Sequence, residues 1–289
     1  MKINGQVSLE VLVAKFADEG FAIARGLFSN EECDRYSNYF TSMVERGGDG
    51  WAETVVDPDH ADPLRRYPRL LQPHRGDDVA MEYMLEPRIN AHLTAFCGGE
   101  PYAVQTMVYF KPAGARGQAL HQDNMYLKVQ PGTCVAAWLA LDDCTEESGC
   151  MAVVPGSKSL PIMCQKETLG LDEICWGTTE TPIPPGLTPE LVLMSRGDVL
   201  FFGGGLIHGS YQNRTTDQFR RTLIGHYIMA ESTQVAKYYF PVFRMDGSQL
   251  DDGISVAAQD GGPCGVYVEK AGHTEIVMAG SYQEYRAAH

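Results

Sequence analysis

Short stretches rich in β-branched and aromatic residues, separated by glycine and proline, fill the chain from about residue 101 to residue 229. Stretches of this kind are typical of β-strands, and their close spacing predicts an antiparallel sandwich or open barrel. We predict strands at 103–110, 120–126, 133–141, 150–154, 190–194, 198–202 and 220–229. The middle of the chain is therefore predicted to be a β core.

The first hundred residues have helical patterns instead. Ser8 precedes apolar residues at helical spacing, which predicts a helix over 8–19. Ser29 and Glu32 have the spacing of a capping box at the start of a second helix. A third helix is predicted over 80–97, with an interruption at a proline. The fold class is thus mostly β with N-terminal helices.

Two long irregular segments, 49–76 and 160–189, separate the regular elements. Long connections inside a compact domain are usually functional, so we expect both to flank the open end of the barrel and to select the substrate. We treat 1–289 as one domain, with a mainly helical part at 1–100, a core at 101–245 and a C-terminal extension at 246–289. The extension is expected to form an extra hairpin near the entrance.

Composition excludes several function classes. A net charge of −14 and a pI near 4.9 argue against a nucleic-acid partner, which needs clustered Lys and Arg. The sequence has neither an apolar leader pattern nor an apolar run of membrane-spanning length, so we expect a cytoplasmic protein without a membrane partner. A monomer or a homodimer is expected. The 8 cysteines form no C-x-x-C pair, which favours reduced, mostly buried thiols.

A histidine and a carboxylate lie two positions apart at His121 and Asp123, inside a predicted strand. Side chains at i and i+2 of a strand share one face, so these groups can converge while Leu120 and Gln122 point away. The best third ligand is His208. Two neutral imidazoles and one carboxylate on one face of a metal suit non-haem Fe(II), because three positions stay open for a bidentate cosubstrate and O2. On its own His-x-Asp is a weak signal of an iron site, so the motifs that accompany it carry the prediction.

Further short motifs accompany the His-x-Asp pattern along the chain. In order, the motifs are Leu120-His121-Gln122-Asp123, Ala137-Trp138-Leu139-Ala140-Leu141-Asp142-Asp143, Glu147-Ser148-Gly149-Cys150, Pro155-Gly156-Ser157-Lys158, Gly197-Asp198, His208-Gly209-Ser210, Asn213 and Phe219-Arg220. In this order and spacing they resemble the phytanoyl-CoA dioxygenase family of Fe(II)- and 2-oxoglutarate-dependent oxygenases. The resemblance implies a double-stranded β-helix, a jelly-roll or cupin-like core, with the metal inside one end.

The resemblance also implies the cofactors and the reaction. Fe(II) would be held by His121, Asp123 and His208, with 2-oxoglutarate as cosubstrate and O2 as oxidant. Succinate and CO2 would be the coproducts of hydroxylation, or of a related C–H oxidation, of a small-molecule substrate. A carboxylate at Asp123 argues against halogenation, because halogenating relatives need a small residue there.

Arg220 lies near the position where the family binds the distal carboxylate of 2-oxoglutarate. Arg221 is the alternative, because the interval from His208 is about one residue longer than in close relatives. Strand parity favours Arg220, since it places Arg220 and Thr222 inside the barrel and Arg221 outside. A guanidinium pairs bidentately with a carboxylate. Ser210 is expected to donate its hydroxyl to the same carboxylate.

Weaker motifs of the family indicate further cosubstrate contacts, while the stretch around His121 and the two long segments supply candidate substrate-pocket residues. The expected cosubstrate contacts are Met107, Gln72 and Trp138, and the expected substrate-pocket residues are Gln122, Tyr126, Trp176 and Arg75. The alternative for a methionine or a buried tryptophan is core packing. His226 shares the interior face with Arg220, and we interpret it as a hydrogen-bonded core histidine and not as a fourth ligand.

The sequence leaves the substrate open. Beyond the arginines in 65–75 there is no basic groove for the phosphates of CoA, so we favour a small natural product or an amino-acid derivative over a CoA thioester. Two other function classes stay open. One is a non-catalytic jelly-roll protein that binds a metal or a small molecule. The other is a zinc hydrolase, which needs a tetrahedral site with a general base nearby.

Overall fold

Two facing β-sheets lie at the centre of the computed structural model, which describes residues 2–3, 6–168, 175–258, 263–270 and 273–280. The strands are β1 (Lys2–Ile3), β2 (Gln6–Val7), β3 (Phe21–Ala24), β4 (Leu70–Leu71), β5 (Pro101–Lys111), β6 (Gly117–His121), β7 (Cys134–Ala140), β8 (Met151–Val153), β9 (Lys166–Glu167), β10 (Cys175–Trp176), β11 (Thr179–Glu180), β12 (Glu190–Val192), β13 (Val199–Gly203), β14 (His208–Ser210), β15 (Arg220–Met229), β16 (Gln234–Val235), β17 (Ser255–Val256), β18 (Cys264–Lys270) and β19 (His273–Ala279). The helices are α1 (Leu9–Glu19), α2 (Asn30–Glu45), α3 (Pro63–Arg66), α4 (Asp78–Met84), α5 (Pro87–Cys97) and α6 (Asn124–Leu127).

The larger sheet has the order β3-β13-β7-β15-β5-β4, and the smaller has the order β10-β6-β14-β8-β12. All pairs in the larger sheet are antiparallel, and in the smaller sheet only β10 pairs in parallel, with β6. Core strands β5 to β8 alternate between the two sheets, β8 and β12 pair within the smaller sheet, and β12 to β15 alternate again, which makes the core a double-stranded β-helix. The predicted fold class is confirmed.

The larger sheet is covered on both faces. Between the sheets, Trp138 and Ile224 pack with Met151 of the smaller sheet. On the opposite face, Leu223 and Tyr227 pack against buried apolar residues of α1, α2, α4 and α5. Alternate residues of β15 therefore belong to two different cores, as the two-residue period of a strand requires.

The N-terminal helices begin where the sequence predicts. The Ser29 hydroxyl accepts a hydrogen bond from the Glu32 amide and the Glu32 carboxylate accepts one from the Ser29 amide, so the capping box is present. The helix predicted over 80–97 is two helices, because Pro87 starts α5 at a position where its missing N–H costs nothing. Among the described residues, no helix is both long and apolar enough to cross a membrane.

The strand predicted over 120–126 is wrong in its second half. β6 ends at His121, and Asp123 has helical dihedral angles (φ −59°, ψ −36°) at the start of α6. The short strand β14, which contains His208, was not predicted, because three residues carry too little periodicity to identify a strand. Both differences lie at the metal motif itself.

The C-terminal extension contains the expected hairpin, formed by β18 and β19. A disulfide between Cys164 and Cys264, with Cα atoms 4.9 Å apart, joins this hairpin to the segment before β9. The prediction of reduced thiols is therefore wrong for this pair, although it holds for the other cysteines. The two residues are separated by 100 positions, so no local spacing could have indicated the bond.

Candidate active site

Two histidines and one carboxylate meet between the two sheets. His121, Asp123 and His208 each offer one ligand atom, and these three atoms lie within 4.8 Å of one another. Nε2 of His121 is 3.4 Å from Oδ1 of Asp123, and Nε2 of His208 is 3.6 Å from the same oxygen. Their relative exposures are 7%, 7% and 3%, so the cluster is shielded from water. The structure thus brings together the three residues predicted as metal ligands.

Strand pairing and a helix start position these three groups. β14 pairs antiparallel with β6, and His208 lies directly opposite His121. Their rings are 4.2 Å apart between centroids. Asp123 reaches the same point from the beginning of α6, and not from an extended strand as we expected. The convergence predicted from strand parity is therefore present, but the turn from strand into helix produces it.

Backbone carbonyls fix the orientation of both imidazoles. Nδ1 of His121 donates to the Ala119 carbonyl at 2.9 Å, and Nδ1 of His208 donates to the Leu206 carbonyl at 3.0 Å. Each Nε2 then carries the lone pair and points at Asp123. Burial, followed by the neighbouring His121, lowers the pKa of His208 to about 4, so the ring is neutral near pH 7. Neutral, oriented imidazoles are the form that binds a metal.

The second oxygen of Asp123 is held from the opposite sheet. Nε2 of His226, on β15, lies 3.1 Å from Oδ2 of Asp123, which leaves Oδ1 facing the two other histidines. Burial alone would raise the pKa of Asp123, but His208, His226 and His121 outweigh it and hold that pKa well below its usual value. The group is therefore a carboxylate. Two imidazole nitrogens and one carboxylate oxygen are a donor set that fits iron.

Arg220 and Arg221 point to opposite faces of the larger sheet, as strand parity predicted. Arg221 forms a bidentate ion pair with Asp142 at 2.8 Å on the helix-covered side. Arg220 is 3% exposed, lines the metal-centred cavity and lies over the ring of Trp138 at 5.3 Å. One of its nitrogens donates to the Gly149 carbonyl at 3.0 Å, while its buried Nε has no partner. A donor left without a partner beside a cavity fits an anionic ligand.

Lys111 is a second buried cation in this region, and the sequence analysis missed it. Its Cα is the register partner of Arg220, and its Nζ donates to the Ser210 hydroxyl at 2.9 Å. Lys111 lies on the interior face with Met107 and Tyr109, at alternate positions of β5. The predicted strand stopped one residue short of Lys111, so extending the parity argument by one step could have found it.

The other expected cosubstrate contacts divide into two groups. Met107 and Trp138 both line the metal-centred cavity. Gln72 is buried, but it is not among the described residues that line the cavity, and its side-chain amide donates to the Tyr238 carbonyl at 3.3 Å. Its backbone has φ of +60°, a conformation that is uncommon outside glycine.

The four expected substrate-pocket residues also differ in placement. Tyr126 lines the cavity on the side away from Arg220. Arg75 is not among the described residues that line the cavity. It donates to the Tyr238 carbonyl, and its guanidinium lies over the Tyr238 ring at 5.7 Å. Gln122 points away from the metal cluster and bonds the Met163 amide and the Gly205 carbonyl. The backbone of Trp176 pairs with that of Gln118 beside the cavity.

The cavity has two lobes that meet at the metal cluster. The first, which we call the cation lobe, extends toward Lys111, Ser210 and Arg220. The second, which we call the tyrosine lobe, is lined by polar and aromatic side chains including Gln105, Tyr109, Tyr126, Tyr238 and Tyr239. Most tyrosine-lobe residues were missed because they come from segments far apart in sequence. Parity along β5 from Met107 would have indicated only Gln105 and Tyr109.

The sequence matches a known family model and its curated members. The model of phytanoyl-CoA dioxygenase (PhyH) matches residues 16–222. Peroxisomal phytanoyl-CoA dioxygenase of Rattus norvegicus is 26% identical over 238 residues, which cover 78% of this chain and 69% of the relative. Probable phytanoyl-CoA dioxygenase of Caenorhabditis elegans is 31% identical over 230 residues, which cover 73% and 72% of the two chains.

Solved structures share the fold at lower identity. The non-haem alpha-ketoglutarate-dependent epimerase SnoN from nogalamycin biosynthesis superposes with a TM-score of 0.62 at 22% identity, covering 87% of this chain and 96% of SnoN. The carbocyclase SnoK from nogalamycin biosynthesis gives a TM-score of 0.63 at 19% identity, covering 79% and 89%. These likenesses concern the fold.

A double-stranded β-helix with a buried His-x-Asp and distant His cluster defines the class of non-haem iron oxygenases. This chain belongs to the phytanoyl-CoA dioxygenase family, whose members are 2-oxoglutarate-dependent dioxygenases of that class.

His74 is a buried histidine outside the metal cluster. Its Nδ1 lies 2.8 Å from the Thr106 hydroxyl, and its Nε2 has no partner. Burial, followed by the charge of Arg75, lowers the pKa of His74 to about 3. Because this pKa lies below the value of about 6.5 in the unfolded chain, folding favours the neutral ring. The resulting stability is fully present above pH 6.5 and is lost as the pH falls toward 3.

We therefore predict that His74→Gln flattens the acid side of the stability profile. Between pH 6.5 and pH 4, the free energy of unfolding of the wild type should fall more steeply than that of the variant, by up to about 1.4 kcal/mol per pH unit. Denaturant titrations at several pH values measure both slopes. His60→Gln, at an exposed position, is the matched control and should follow the wild type. Parallel stability profiles for the wild type and His74→Gln would show that the pKa of His74 is not lowered in the folded protein.

Proposed function

We propose that this protein binds Fe(II) and 2-oxoglutarate and oxidises a C–H bond of a small organic molecule, with succinate and CO2 as coproducts. The observation that carries the proposal is the junction of a buried two-histidine, one-carboxylate cluster with a lobe that contains two buried cations. A metal-binding jelly-roll protein without this activity would need the cluster, but it would not need a pair of cations beside it.

In this proposal, His121, Asp123 and His208 hold the iron through Nε2, Oδ1 and Nε2. The bound iron and cosubstrate supply the oxidising chemistry, in which O2 is consumed. His226 keeps Oδ2 of Asp123 occupied by a hydrogen bond, so the carboxylate offers the metal one oxygen. The carbonyls of Ala119 and Leu206 keep both imidazoles in the binding tautomer. The chain's own contribution is a preoriented, buried ligand set.

Arg220 receives the distal carboxylate of 2-oxoglutarate in this assignment. Its planar fork of donors matches a carboxylate, and Trp138 below it restricts its position. The Ser210 hydroxyl, in the same lobe, supplies a further donor. Met107 lines the same cavity as the metal cluster and Arg220. Arg221 has no part in this site, because Asp142 already occupies its guanidinium.

The tyrosine lobe is the proposed substrate site. Its aromatic rings offer large flat surfaces, and its hydroxyls and amides offer hydrogen bonds, which suits an uncharged, ring-containing molecule. The structural likeness to SnoN and SnoK supports a substrate from natural-product biosynthesis. We favour this class over the CoA thioester in the relatives' names, because cations near the entrance are already paired. Arg69 pairs with Glu53, and Arg116 pairs with Asp62.

The metal assignment predicts a spectroscopic result. Adding Fe(II) and 2-oxoglutarate to the apoprotein without oxygen should give a weak metal-to-ligand charge-transfer absorption band. Asp123→Ala should lose this band and all turnover, since it removes the only anionic ligand and loosens the metal. The matched control is Asp59→Ala, at an exposed loop position, which should keep both. A wild-type protein that binds the metal without producing the band would favour the non-catalytic or hydrolytic alternatives.

The cosubstrate assignment predicts different effects for adjacent arginines. Losing one buried partner of a charge-assisted pair costs about 2 to 5 kcal/mol. Arg220→Ala should therefore weaken 2-oxoglutarate binding on the order of thirtyfold to several-thousandfold. Arg221→Ala breaks the pair with Asp142 and should lower stability while leaving 2-oxoglutarate affinity nearly unchanged. Anaerobic dissociation constants measured with Fe(II) present decide the matter, and a larger loss in Arg221→Ala would mean that the assignment is reversed.

A further inference from the structure

We propose that Lys111 is a positioning residue that turns the Ser210 hydroxyl into an obligatory donor and adds a second positive charge, so that the cation lobe selects 2-oxo acids with a distal carboxylate. This inference rests on the proposed function, because it concerns how the same lobe recognises its cosubstrate.

The position of Lys111 comes from strand pairing and from two close backbone approaches. β5 pairs with β15, so Lys111 lies beside Arg220 on the interior face. Its Nζ donates to the Ser210 hydroxyl at 2.9 Å, to the Gly149 carbonyl at 3.3 Å and to the Tyr211 carbonyl. All three ammonium protons therefore have acceptors.

Glycine makes this arrangement possible. Gly149 has φ of +79°, and a Cβ atom there would lie 2.5 Å from the Tyr211 carbonyl oxygen. Gly117 is closed in the same way, because a Cβ atom would lie 2.0 Å from the Ser210 carbonyl oxygen. The backbone of Ser210 and Tyr211 therefore packs directly against Gly117 and Gly149. This close packing places the three acceptors within hydrogen-bond distance of Lys111.

The charge of Lys111 is not balanced by the protein. Its three acceptors are neutral, and among the described residues no carboxylate lies within ion-pair distance of it. Arg220 likewise donates to a neutral carbonyl, whereas Arg221 on the other face has Asp142. Burial, followed by the charge of Arg220, lowers the pKa of Lys111 well below its usual value. A bound anion would raise this pKa again and favour the protonated amine of Lys111, since it compensates both cations at once.

The hydrogen bonds of Ser210 indicate how Lys111 acts. The Ser210 hydroxyl oxygen accepts one hydrogen bond from Lys111 and another from the backbone N–H of Gln118 at 3.1 Å. A hydroxyl has two acceptor sites and one proton, so both acceptor sites are used and only the proton is left. The hydroxyl can then act only as a donor. Lys111 in this way makes Ser210 complementary to a carboxylate and to no group that is itself a donor.

A purely structural Lys111 would behave differently. In that case it would only tie β5 to the chain around Gly149 and Tyr211, and its loss would loosen the lobe for every ligand. The two alternatives are separated by a pair of probes. 2-Oxoglutarate and 2-oxopentanoate share the 2-oxo acid group and the chain length, but 2-oxopentanoate has a methyl group where the distal carboxylate would be.

The experiment compares Lys111→Met with the wild type by anaerobic calorimetry, with Fe(II) present and each probe titrated separately. Methionine keeps an unbranched side chain that is one atom shorter, and it removes the charge. We expect 2-oxoglutarate to bind on the order of tenfold to a hundredfold more weakly, the range for losing a charge-assisted contact, and 2-oxopentanoate to bind within about threefold of the wild type. Equal losses for both probes, or no loss for either, would overturn the proposal.

A second variant keeps the test decisive if Lys111→Met does not fold. Ser210→Ala removes the oriented hydroxyl while leaving Lys111 in place, and it should weaken 2-oxoglutarate selectively as well. Where both variants fold, the double variant should lose less affinity than the sum of the two, because Lys111 acts partly through Ser210. An exposed lysine gives the control, Lys166→Met, which should match the wild type. Nonselective loss in Ser210→Ala would overturn the proposal.

A wild-type protein that binds neither probe with Fe(II) present would refute the proposed function. A wild-type protein that prefers 2-oxoglutarate, with a Lys111→Met variant of unchanged preference, would refute only the role of Lys111.

Discussion

The pairing of β14 with β6 places His208 opposite His121, and the rest of the site depends on this register. A shift by one residue would turn one imidazole away from the cavity, since side chains alternate along a strand. The register needs close backbone contact, which glycine provides. A Cβ atom at Gly209 would lie 2.7 Å from the Gln118 carbonyl oxygen, and one at Gly117 would collide with the Ser210 carbonyl. These glycines therefore serve strand pairing, and through it the metal cluster.

The two sheets contribute different side chains to the site. The smaller sheet carries both histidines, while the larger sheet carries Lys111 and Arg220. Hydrogen bonds from His226 to Asp123, which follows β6, and from Lys111 to Ser210 on β14 connect the larger sheet to the other side of the site, so the metal cluster and the cation lobe are held in a fixed relation. The chain as a whole has a net charge of −14, yet its buried cavity concentrates positive charge. This local excess, and not the overall charge, is what bears on the ligand.

Much of the fold could be predicted from the sequence, because its signals are local. The capping box at Ser29 and Glu32 and the two faces of β15 depend on neighbours a few residues away. Strand parity could have placed Lys111 on the interior face, but it could not have identified its hydrogen-bond acceptors, which include carbonyls 38 and 100 positions distant. The disulfide between Cys164 and Cys264 was missed for the same reason. The metal ligands were found because a motif, and not strand parity alone, identified them.

The central claim is that the metal cluster and the cation lobe form one site for iron-dependent use of 2-oxoglutarate. The most direct measurement is the release of CO2 from 2-oxoglutarate labelled at its first carbon, in the absence of any added substrate. Labelled CO2 should be released slowly, and its release should require both Fe(II) and O2 and should stop when a chelator removes the metal. Release that continues without the metal, or no release from protein shown to bind both iron and 2-oxoglutarate, would contradict the central claim.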